Sequence, residues 1–221
     1  MSLSLEEELG TAIVRSPCWE NRFWAISKRA LDVIVSALLL VLLSPVFFVL
    51  SLLVKLTSPG PALYEWKVVG QNGRSFSSYK FRSMVVEADQ LKASLLATNE
   101  MTGPVFKITR DPRITRVGAW MRRYSLDELP QLYSVLIGDM SLVGPRPPLQ
   151  SEYKQFTEYQ KQKVAVKPGI TCLWQVSGRN NIRDFDAWVS LDLQYIQNWS
   201  LWLDLTILAK TIVAVVSGSG K

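Results

Sequence analysis

Histidine is absent from all 221 residues of the chain. This absence excludes serine–histidine and cysteine–histidine nucleophile systems, and it excludes metal sites built on imidazole. The two cysteines, Cys18 and Cys172, lie in no CxxC-type spacing, which argues against a disulfide framework or a zinc site and fits a reducing compartment. Acid–base, nucleophilic or metal chemistry must therefore rest largely on aspartate and glutamate, with lysine and arginine to bind anions.

Acidic residues are fewer than basic ones, 19 against 25, and the formal net charge is +6. A basic chain is attracted to anionic lipid, to phosphate-rich substrates or to nucleic acid. The cations fall in separated clusters and no nucleic-acid-binding motif occurs, so no nucleic-acid partner is predicted. The length suits one membrane element and one soluble domain.

Charge is also missing from residues 33–54, which form one apolar run. Roughly 20 apolar residues suffice to cross a bilayer as a helix. Ser44 and Pro45 lie at the centre of the run, and proline breaks or kinks a helix. Cations flank both ends, with Lys28 and Arg29 before the run and Lys55 after it, and such residues mark the cytoplasmic side. The pattern fits a re-entrant helix–break–helix and, about equally, one kinked spanning helix with residues 1–29 outside; a buried helix is a less favoured alternative.

The remaining patterns predict an α+β fold that is mostly helical. Residues 1–27 are predicted to be a peripheral segment, 28–57 the re-entrant membrane helix and 58–221 a cytosolic catalytic domain. Strands are predicted at 62–69 and 76–81, joined by an Asn-Gly turn as a small β-hairpin. Helices are predicted at 87–97, 114–124, 149–163 and around 188–199. The apolar stretch 201–216 is either an amphipathic helix at the membrane interface or a core helix of the domain.

Asp127 and Glu128 follow a stretch rich in arginine and lie within the segment SLDELP, residues 125–130. Ser125 and Glu128 have capping-box spacing, which would give them a structural role. Pro130 weakens that interpretation and favours a helix that begins at or after Asp127. In that position an ionised Asp127 beside arginines could attack phosphorus, and Glu128 could hold Mg²⁺ together with substrate phosphates.

Two further segments could bind phosphate. Arg146 lies between prolines, where a stiff backbone would pre-set its guanidinium for a bidentate phosphate contact. Residues 167–180 combine tight turns with Trp174 and Arg179, which could hold a nucleotide. A rigid surface turn and a loop packed for structure, respectively, are the alternatives for the two segments.

Taken together, these motifs resemble the bacterial sugar transferases, which are monotopic polyprenyl-phosphate phosphoglycosyl transferases. The resemblance covers nearly all of residues 28–216. It is carried by KRALD at 28–32 before the broken apolar run, YKFRSM at 79–84, DPRITRVG at 111–118, SLDELPQL at 125–132, GDMSLVGPRP at 138–147 and KPGITCLWQVSGRN at 167–180.

The resemblance implies a reaction and a location. A UDP-sugar would give its sugar-1-phosphate to undecaprenyl phosphate with release of UMP, at the cytoplasmic face of the bacterial inner membrane, to initiate exopolysaccharide or other surface glycan assembly. It implies a ping-pong, Mg²⁺-dependent enzyme, with membrane lipids and a possible homodimer partner. The family's re-entrant hairpin is implied as well.

The resemblance also implies roles for individual residues. Asp127 would be the nucleophile and Glu128 would help to bind Mg²⁺. Cations near the phosphates would be Lys80, Arg82, Arg122, Arg146 and Arg179. Asp204 with Lys28 or Arg29 is a candidate for the ion pair that family members have under the membrane hairpin.

Two other functions remain as rivals to the one that the resemblance implies. They are a catalytically inactive membrane adaptor and a lipid or nucleotide phosphatase.

Overall fold

The computed structural model describes residues 21–178 and 182–218 of the chain. Cys18 and Arg179, both singled out in the sequence, lie outside these residues, and so does most of the predicted peripheral segment. The described part is mostly helical and contains two small two-stranded sheets. The predicted α+β class is therefore confirmed.

The apolar run forms two helices that meet at a sharp break. Helix α1 spans Arg22–Leu42, helix α2 spans Ser44–Thr57, and the two are bent by 61°. Pro45 lies in the first turn of α2, where a missing N–H matters least. The predicted interruption at Ser44 and Pro45 is thus confirmed, although the helix begins at Arg22 and not at residue 28.

Apolar side chains cover much of the outer surface of this bent pair. Those with high exposure are Ile34, Leu38, Val41, Leu42, Phe48, Val49 and Leu56. Within residues 21–178 and 182–218, no individual helix is long and apolar enough to cross a bilayer, whereas α1 and α2 meet that criterion when taken together. Exposed apolar surface of this extent marks an interaction site. Its insertion into a membrane, as a re-entrant pair or as a kinked span, stays a prediction.

The beginning of α1 is fixed to the rest of the domain by polar side chains. Arg29 donates to two carbonyls near the end of helix α5 (Gln131–Ile137), at 2.6 and 2.7 Å. Asp32 accepts from the hydroxyl of Ser141 at 3.1 Å and from the backbone N–H of Leu142 at 3.0 Å. These contacts set the position of the apolar pair relative to the domain.

Strands β1 (Leu63–Val69) and β2 (Ser75–Phe81) form the predicted antiparallel hairpin. Their connection is a short 3₁₀ turn, Gln71–Gly73, in which Asn72 adopts a φ of 56° and Gly73 a φ of 78°. Asparagine and glycine tolerate the left-handed region, so the Asn-Gly pair is what allows this turn.

The helix predicted at 87–97 is interrupted. Helix α3 covers only Ala88–Leu91, and a 3₁₀ segment follows at Ala93–Thr98. In the second half the hydroxyls of Ser94 and Thr98 donate to carbonyls three residues earlier, at 2.8 and 2.7 Å. Such side-chain bonds compete with the regular helical pattern.

The helix predicted at 114–124 is present as α4, Arg116–Arg123. Thr115 caps it by accepting from the backbone N–H of Gly118 at 2.9 Å. A Cβ at Gly118 would come within 1.9 Å of the Ser83 carbonyl oxygen, so glycine allows α4 to lie directly on the residues that follow β2.

The single helix predicted at 149–163 is wrong. Two short helices occupy the segment, α6 at Gln150–Tyr153 and α7 at Glu158–Lys161, followed by a 3₁₀ turn. Phe156 between them is buried and packs against other aromatic rings. Thr157 then begins α7 with a capping box completed by Gln160. Burial of Phe156 and the new cap together redirect the chain.

A short parallel strand pair that the sequence patterns did not predict joins β3 (Ser141–Val143) to β4 (Gly169–Thr171). A Cβ on Gly169 would lie 2.1 Å from the backbone nitrogen of Gly144. Gly144 and Gly169 therefore let the backbones of the two strands approach closely. Arg146 follows Gly144 by two residues.

Helices α8 (Leu173–Val176), α9 (Phe185–Gln197) and α10 (Leu201–Val216) complete the fold. The helix predicted around 188–199 corresponds to α9, whose inner face contributes to the main core. Helix α10 buries Asp204 and Ile207 against the domain and exposes apolar residues on its outer face: Trp202, Leu205, Ile212, Val213 and Val216. The core-helix interpretation is correct for the inner face, and the interfacial placement of the outer face stays a prediction.

Candidate active site

The carboxylate pair lies on a 3₁₀ turn, Leu126–Glu128, between α4 and α5. Ser125, just before it, has a left-handed backbone with a φ of 53°, and its side chain makes no capping hydrogen bond. The capping-box interpretation is therefore wrong. Pro130 directly precedes α5, which begins at Gln131, so the predicted helix start after Asp127 is confirmed.

Asp127 is the buried member of the pair, with only 7% of its surface exposed. Burial, and next the charge of Glu128, raise the pKa of Asp127 to about 6, while Lys80 and Arg122 act in the opposite direction. The sequence-based argument considered the helix start and the arginines but not burial, and the loss of solvation outweighs the effect of the cations. Asp127 is still mainly ionised at pH 7, but its protonation falls in the physiological range.

Glu128 is held by a lysine from the hairpin. The Lys80 Nζ lies 2.7 Å from the Glu128 Oε1, and both side chains are about one-fifth exposed. The same Nζ lies 4.2 Å from the ring centroid of Trp66, within cation–π distance. Strand β2 therefore places the ammonium group of Lys80 against Glu128, and the ring of Trp66 packs against the same group.

Arg122 provides the second cation. Its Nε donates to the Ser83 hydroxyl at 2.9 Å, and its backbone carbonyl accepts from the N–H of Ser125 at 3.1 Å. Its positive charge acts to lower the pKa of Asp127, against the larger effect of burial. The structure thus joins Lys80 directly to Glu128, and it places Arg122 in the last turn of α4, shortly before the turn that carries Asp127 and Glu128.

The other arginines of the preceding stretch have different surroundings. Arg113 forms a buried ion pair with Asp111, with Nη2–Oδ2 and Nε–Oδ1 distances of 2.6 and 2.9 Å. It also donates to the Ala88 carbonyl at 3.1 Å. The DPR motif is therefore a structural clasp for the loop before α4. Arg116 and Arg123 are exposed on α4.

Arg82 was predicted to bind substrate, but its guanidinium is buried against the turn that follows α2. It donates to the carbonyls of Pro59 and Ser58, the latter at 3.0 Å, and only 6% of the residue is exposed. These contacts join the end of the apolar pair to the end of β2. Arg82 is therefore omitted from the substrate-binding set proposed below.

Arg146 lies beside the C-terminal half of the core. Its guanidinium carbon is 5.2 Å from the ring centroid of Trp188, and its Nη1 is 3.8 Å from the Glu152 Oε2. The side chain keeps 29% of its surface exposed, so it can still meet a ligand. The other predicted cation of this region, Arg179, lies outside the described residues.

The base of the apolar pair contains a buried ion pair. The Lys28 Nζ lies 2.6 Å from the Asp204 Oδ2 and donates to the Val143 carbonyl at 3.1 Å. Asp204 also accepts from the Tyr195 hydroxyl at 2.8 Å and from the Trp199 indole at 3.2 Å. Of the two cations proposed as partners of Asp204, the structure places Lys28 there, and Arg29 binds carbonyls of α5 instead.

Comparison with known proteins now adds to this geometry. Residues 23–218 match the family described as bacterial sugar transferase. The chain belongs to the bacterial sugar transferase family. Lys80, Arg122 and the carboxylate pair itself all lie within the matched region.

Three relatives have informative names. The chain is 55% identical over 161 residues to the galactosyl transferase CpsE of Streptococcus agalactiae, and this alignment covers 73% of the chain and 36% of the relative. It is 44% identical over 198 residues to the undecaprenyl-phosphate galactose phosphotransferase of Salmonella typhimurium, covering 87% and 41%. It is 40% identical over 200 residues to the exopolysaccharide production protein ExoY of Rhizobium meliloti, covering 89% and 88%. The chain thus spans less than half of the first two relatives and most of the third.

The donor set of the carboxylate pair suits a magnesium ion only in part. Among residues 21–178 and 182–218, no three potential metal-binding side chains of histidine, cysteine, aspartate or glutamate cluster together. Two neighbouring carboxylates are nevertheless present, and Mg²⁺ typically uses one or two carboxylates with substrate phosphates and water. The residues therefore fit an ion that arrives with, and is shared by, a phosphate substrate.

Two residues of the site were missed by the sequence analysis. Trp66 lies opposite Ser78 in the hairpin register, so Lys80 is its diagonal neighbour on the same face. The hairpin pattern contained a signal for this contact, because the strand register and the alternation of side chains together put Trp66 and Lys80 on the same face of the hairpin. Ser83 gave no comparable signal, since its partner Arg122 is 39 residues away.

Proposed function

We propose that this sugar transferase moves sugar-1-phosphate from a UDP-sugar to undecaprenyl phosphate through a covalent intermediate on Asp127, with release of UMP. The observation that carries the proposal is a buried aspartate beside Glu128, whose carboxylate binds Lys80, with the positive charges of Lys80 and Arg122 acting on the aspartate. The printed name of the Salmonella relative, undecaprenyl-phosphate galactose phosphotransferase, supports this acceptor class. In this reading the product begins the assembly of an exopolysaccharide or another surface glycan.

The first half-reaction uses Asp127 as a nucleophile. A carboxylate oxygen attacks the phosphorus that bears the sugar, and a new oxygen–phosphorus bond forms. The bond from that phosphorus to the oxygen bridging it to the UMP phosphorus breaks, and UMP leaves with the electron pair. Covalent catalysis of this kind divides a difficult transfer into two simpler displacements.

The second half-reaction regenerates the enzyme. A phosphate oxygen of undecaprenyl phosphate attacks the same phosphorus, and the bond to Asp127 breaks. The carboxylate is restored and the polyprenyl-diphosphate sugar is released. One site can therefore serve a soluble donor and a lipid acceptor in turn, which is a ping-pong scheme.

The cations have an electrostatic role in both steps. Donor and acceptor are polyanions, and charge on the transferred phosphoryl oxygens is stabilised by fixed positive groups. Lys80 binds Glu128 of the carboxylate pair, Arg122 lies at the end of the preceding helix, and Arg146 keeps 29% of its side chain exposed. Arg179 is proposed as a further phosphate ligand on the family motif alone.

Magnesium is proposed as the cofactor, with Glu128 as its protein ligand. The ion would neutralise phosphate charge when it is bound with the donor. Lys80 holds Glu128 at 2.7 Å and so fixes this carboxylate before substrate arrives. Asp127 is then left to act on phosphorus.

Location at the cytoplasmic face of the bacterial inner membrane forms part of the proposal. It is supported by the exposed apolar side chains of α1 and α2 and by the outer face of α10. Membrane lipids would cover these surfaces, and the carboxylate pair would lie near the headgroups of the lipid acceptor. A homodimer is compatible with the proposal and is not needed by it.

The proposal is tested by release of UMP in detergent or nanodiscs containing undecaprenyl phosphate, with Mg²⁺ and a panel of UDP-glucose, UDP-galactose and N-acetylated UDP-sugars. We expect UMP and a lipid-linked sugar in equal amounts with at least one donor. Omission of lipid or chelation of Mg²⁺ should stop steady turnover. Background UMP with every donor would favour a catalytically inactive adaptor, and sugar phosphate released to water without lipid would favour a phosphatase.

Topology provides a second expected result. In a variant that lacks Cys18 and Cys172, a single cysteine placed at residue 2 should resist an impermeant maleimide added outside intact cells, because both ends of the apolar pair face the cytoplasm. A matched cysteine at residue 219 reports the side of the membrane on which the C-terminal part of the chain lies. Replacing both Ser44 and Pro45 with alanine should straighten the break and increase labelling at residue 2. Strong labelling of the parent at residue 2 would instead show a spanning helix.

A further inference from the structure

Helix α4 presents a basic stripe on its outer face. Arg116, Trp120 and Arg123 are exposed, and their spacing of four and three residues places them on one face of the helix. Ala119, which is also exposed, lies between them on the same face. The helix sequence, RVGAWMRR, contains no acidic residue. The outer face of α4 thus combines two cations with a large aromatic ring, and the proposed reaction uses none of these side chains.

The two arginines of the basic stripe are not neutralised by the domain. Among residues 21–178 and 182–218, neither Arg116 nor Arg123 has a carboxylate within ion-pair distance. The Arg123 guanidinium carbon lies 5.7 Å from the ring centroid of Tyr124, and that ring lies 6.2 Å from the ring of Trp120. Trp120 remains 46% exposed. The stripe therefore suits a ligand that brings negative charge next to an apolar surface.

The inner face of α4 packs on the second helix of the apolar pair. Met121 is buried in a cluster with Leu50 and Val54 of α2, and Val117 packs against the same cluster. At 1.5 Å per residue, Val54 lies about 15 Å along α2 from the break at Ser44, close to the end of that helix. Helix α4 therefore lies at the base of the apolar pair, next to the domain.

The last turn of α4 meets the end of α10. A Cβ at Gly218, two residues after α10, would lie 2.9 Å from the Arg123 Nε and 3.1 Å from the Tyr124 ring. Val213 and Val216 in the last turn of α10 are strongly exposed. Helix α4 is thus bordered by two elements with exposed apolar side chains, α2 and α10. A single surface that covers both elements also reaches the basic stripe.

We propose that the basic stripe docks on the headgroups of anionic phospholipids at the membrane surface. Arginines near a membrane are attracted to acidic lipids, and tryptophan prefers the boundary between headgroups and acyl chains. The apolar faces of α2 and α10 favour a bilayer over an acidic protein, because a bilayer offers hydrocarbon and negative charge to adjoining parts of one surface. This docking rests on the membrane location in the proposed function, and it needs no transfer of sugar phosphate.

The first test measures which lipid stays bound. The parent and the double variant Arg116→Gln with Arg123→Gln are reconstituted in vesicles of equal phosphatidylglycerol and phosphatidylcholine, extracted in mild detergent and analysed by native mass spectrometry. We expect the parent to retain more phosphatidylglycerol than phosphatidylcholine, and this ratio to fall about fivefold in the double variant. Equal retention of the two lipids by the parent, or an unchanged ratio in the variant, would overturn the proposal.

The matched control removes two charges near the turn of the hairpin. Strand β2 has seven residues and runs about 20 Å from this turn to Phe81, which lies in the same cluster as the inner face of α4. Arg74 is exposed beside the turn, and Lys154 is exposed next to Tyr153, whose hydroxyl lies close to Gly73. Arg74→Gln with Lys154→Gln should keep the lipid ratio of the parent. An equal fall of the ratio in this control would show a general effect of net charge and would overturn a site on α4.

A second readout locates the stripe independently of lipid charge. In a variant that lacks Cys18 and Cys172, a fluorophore on Ala119→Cys should be quenched strongly by a nitroxide on the lipid headgroup, and the same fluorophore on Arg74→Cys only weakly. Weak quenching at the first position in membrane-bound protein would overturn the proposal and assign the arginines to an acidic protein partner. Protein that washes off the membrane would contradict the membrane location as well. A lipid preference without transferase activity would contradict the proposed function alone.

Discussion

Replacing Asp127 with asparagine is expected to abolish sugar-phosphate transfer and to leave the fold intact. Asparagine has nearly the shape of aspartate but cannot form a phosphoester with the substrate. It also removes a carboxyl whose pKa is raised to about 6 by burial, and a neutral amide suits that buried position. We expect at least a thousandfold loss of kcat, about 4 kcal/mol in barrier height, with an unchanged melting temperature.

The covalent step itself is measured with donor labelled in the sugar and without lipid acceptor. Label should remain on the parent protein, map to the peptide that contains Asp127 and be absent from Asp127→Asn. Asp89→Asn is a matched control, because it removes one carboxylate from an exposed residue that accepts from the Tyr64 hydroxyl of the hairpin at 3.3 Å. Steady turnover by Asp127→Asn, verified by mass spectrometry to contain no aspartate from deamidation, would return this residue to a structural role.

Local signals explain which elements the sequence predicted correctly. Asn72 and Gly73 specified the hairpin turn, and the break at Pro45 follows from a ring that cannot donate a backbone hydrogen bond. In each case the decisive residues are adjacent in the chain. The helix at 201–216 was predicted to the residue for the same reason, as Ser200 caps it and the apolar run defines its length.

Elements decided by distant contacts were predicted less well. Phe156 appears in sequence as one apolar residue of a polar helix, and only its burial beside Phe185 explains why the helix ends there. The parallel pair of β3 and β4 has three residues in each strand, too few for periodicity to show. Pairing across such a separation depends on the rest of the fold.

The same distinction applies to the site. The sequence predicted that Asp127 and Glu128 lie before the start of a helix, and the structure places them on the turn before α5, with Lys80 bound to Glu128. Arg82 belongs to an equally well-marked motif, yet its guanidinium binds backbone carbonyls at the end of the apolar pair. A cation in a motif predicts an anion or an acceptor as partner, and sequence alone did not distinguish substrate phosphate from backbone carbonyl.

Removing the Asp204 carboxylate is expected to destabilise the fold strongly. In Asp204→Ala the Lys28 ammonium would stay buried with one carbonyl as partner, and the Trp199 indole would lose its 3.2 Å acceptor. Breaking a buried ion pair by deleting one partner typically costs about 3–5 kcal/mol. The loss should appear as a large fall in the unfolding temperature in nanodiscs and as poor membrane insertion, since this ion pair joins α1 to α10.

Glu158→Ala provides the matched control, because it breaks the Lys161–Glu158 pair on the surface, in which the Glu158 side chain is 86% exposed. Exposed pairs contribute little to stability, so its unfolding temperature should stay near that of the parent. The double variant Lys28→Met with Asp204→Leu should recover much of the loss, because it removes both buried charges and leaves apolar volume in their place. An Asp204→Ala protein as stable as Glu158→Ala would show that the ion pair is not what holds the apolar helices to the domain, and the contacts of Arg29 and Asp32 would then have to be sufficient.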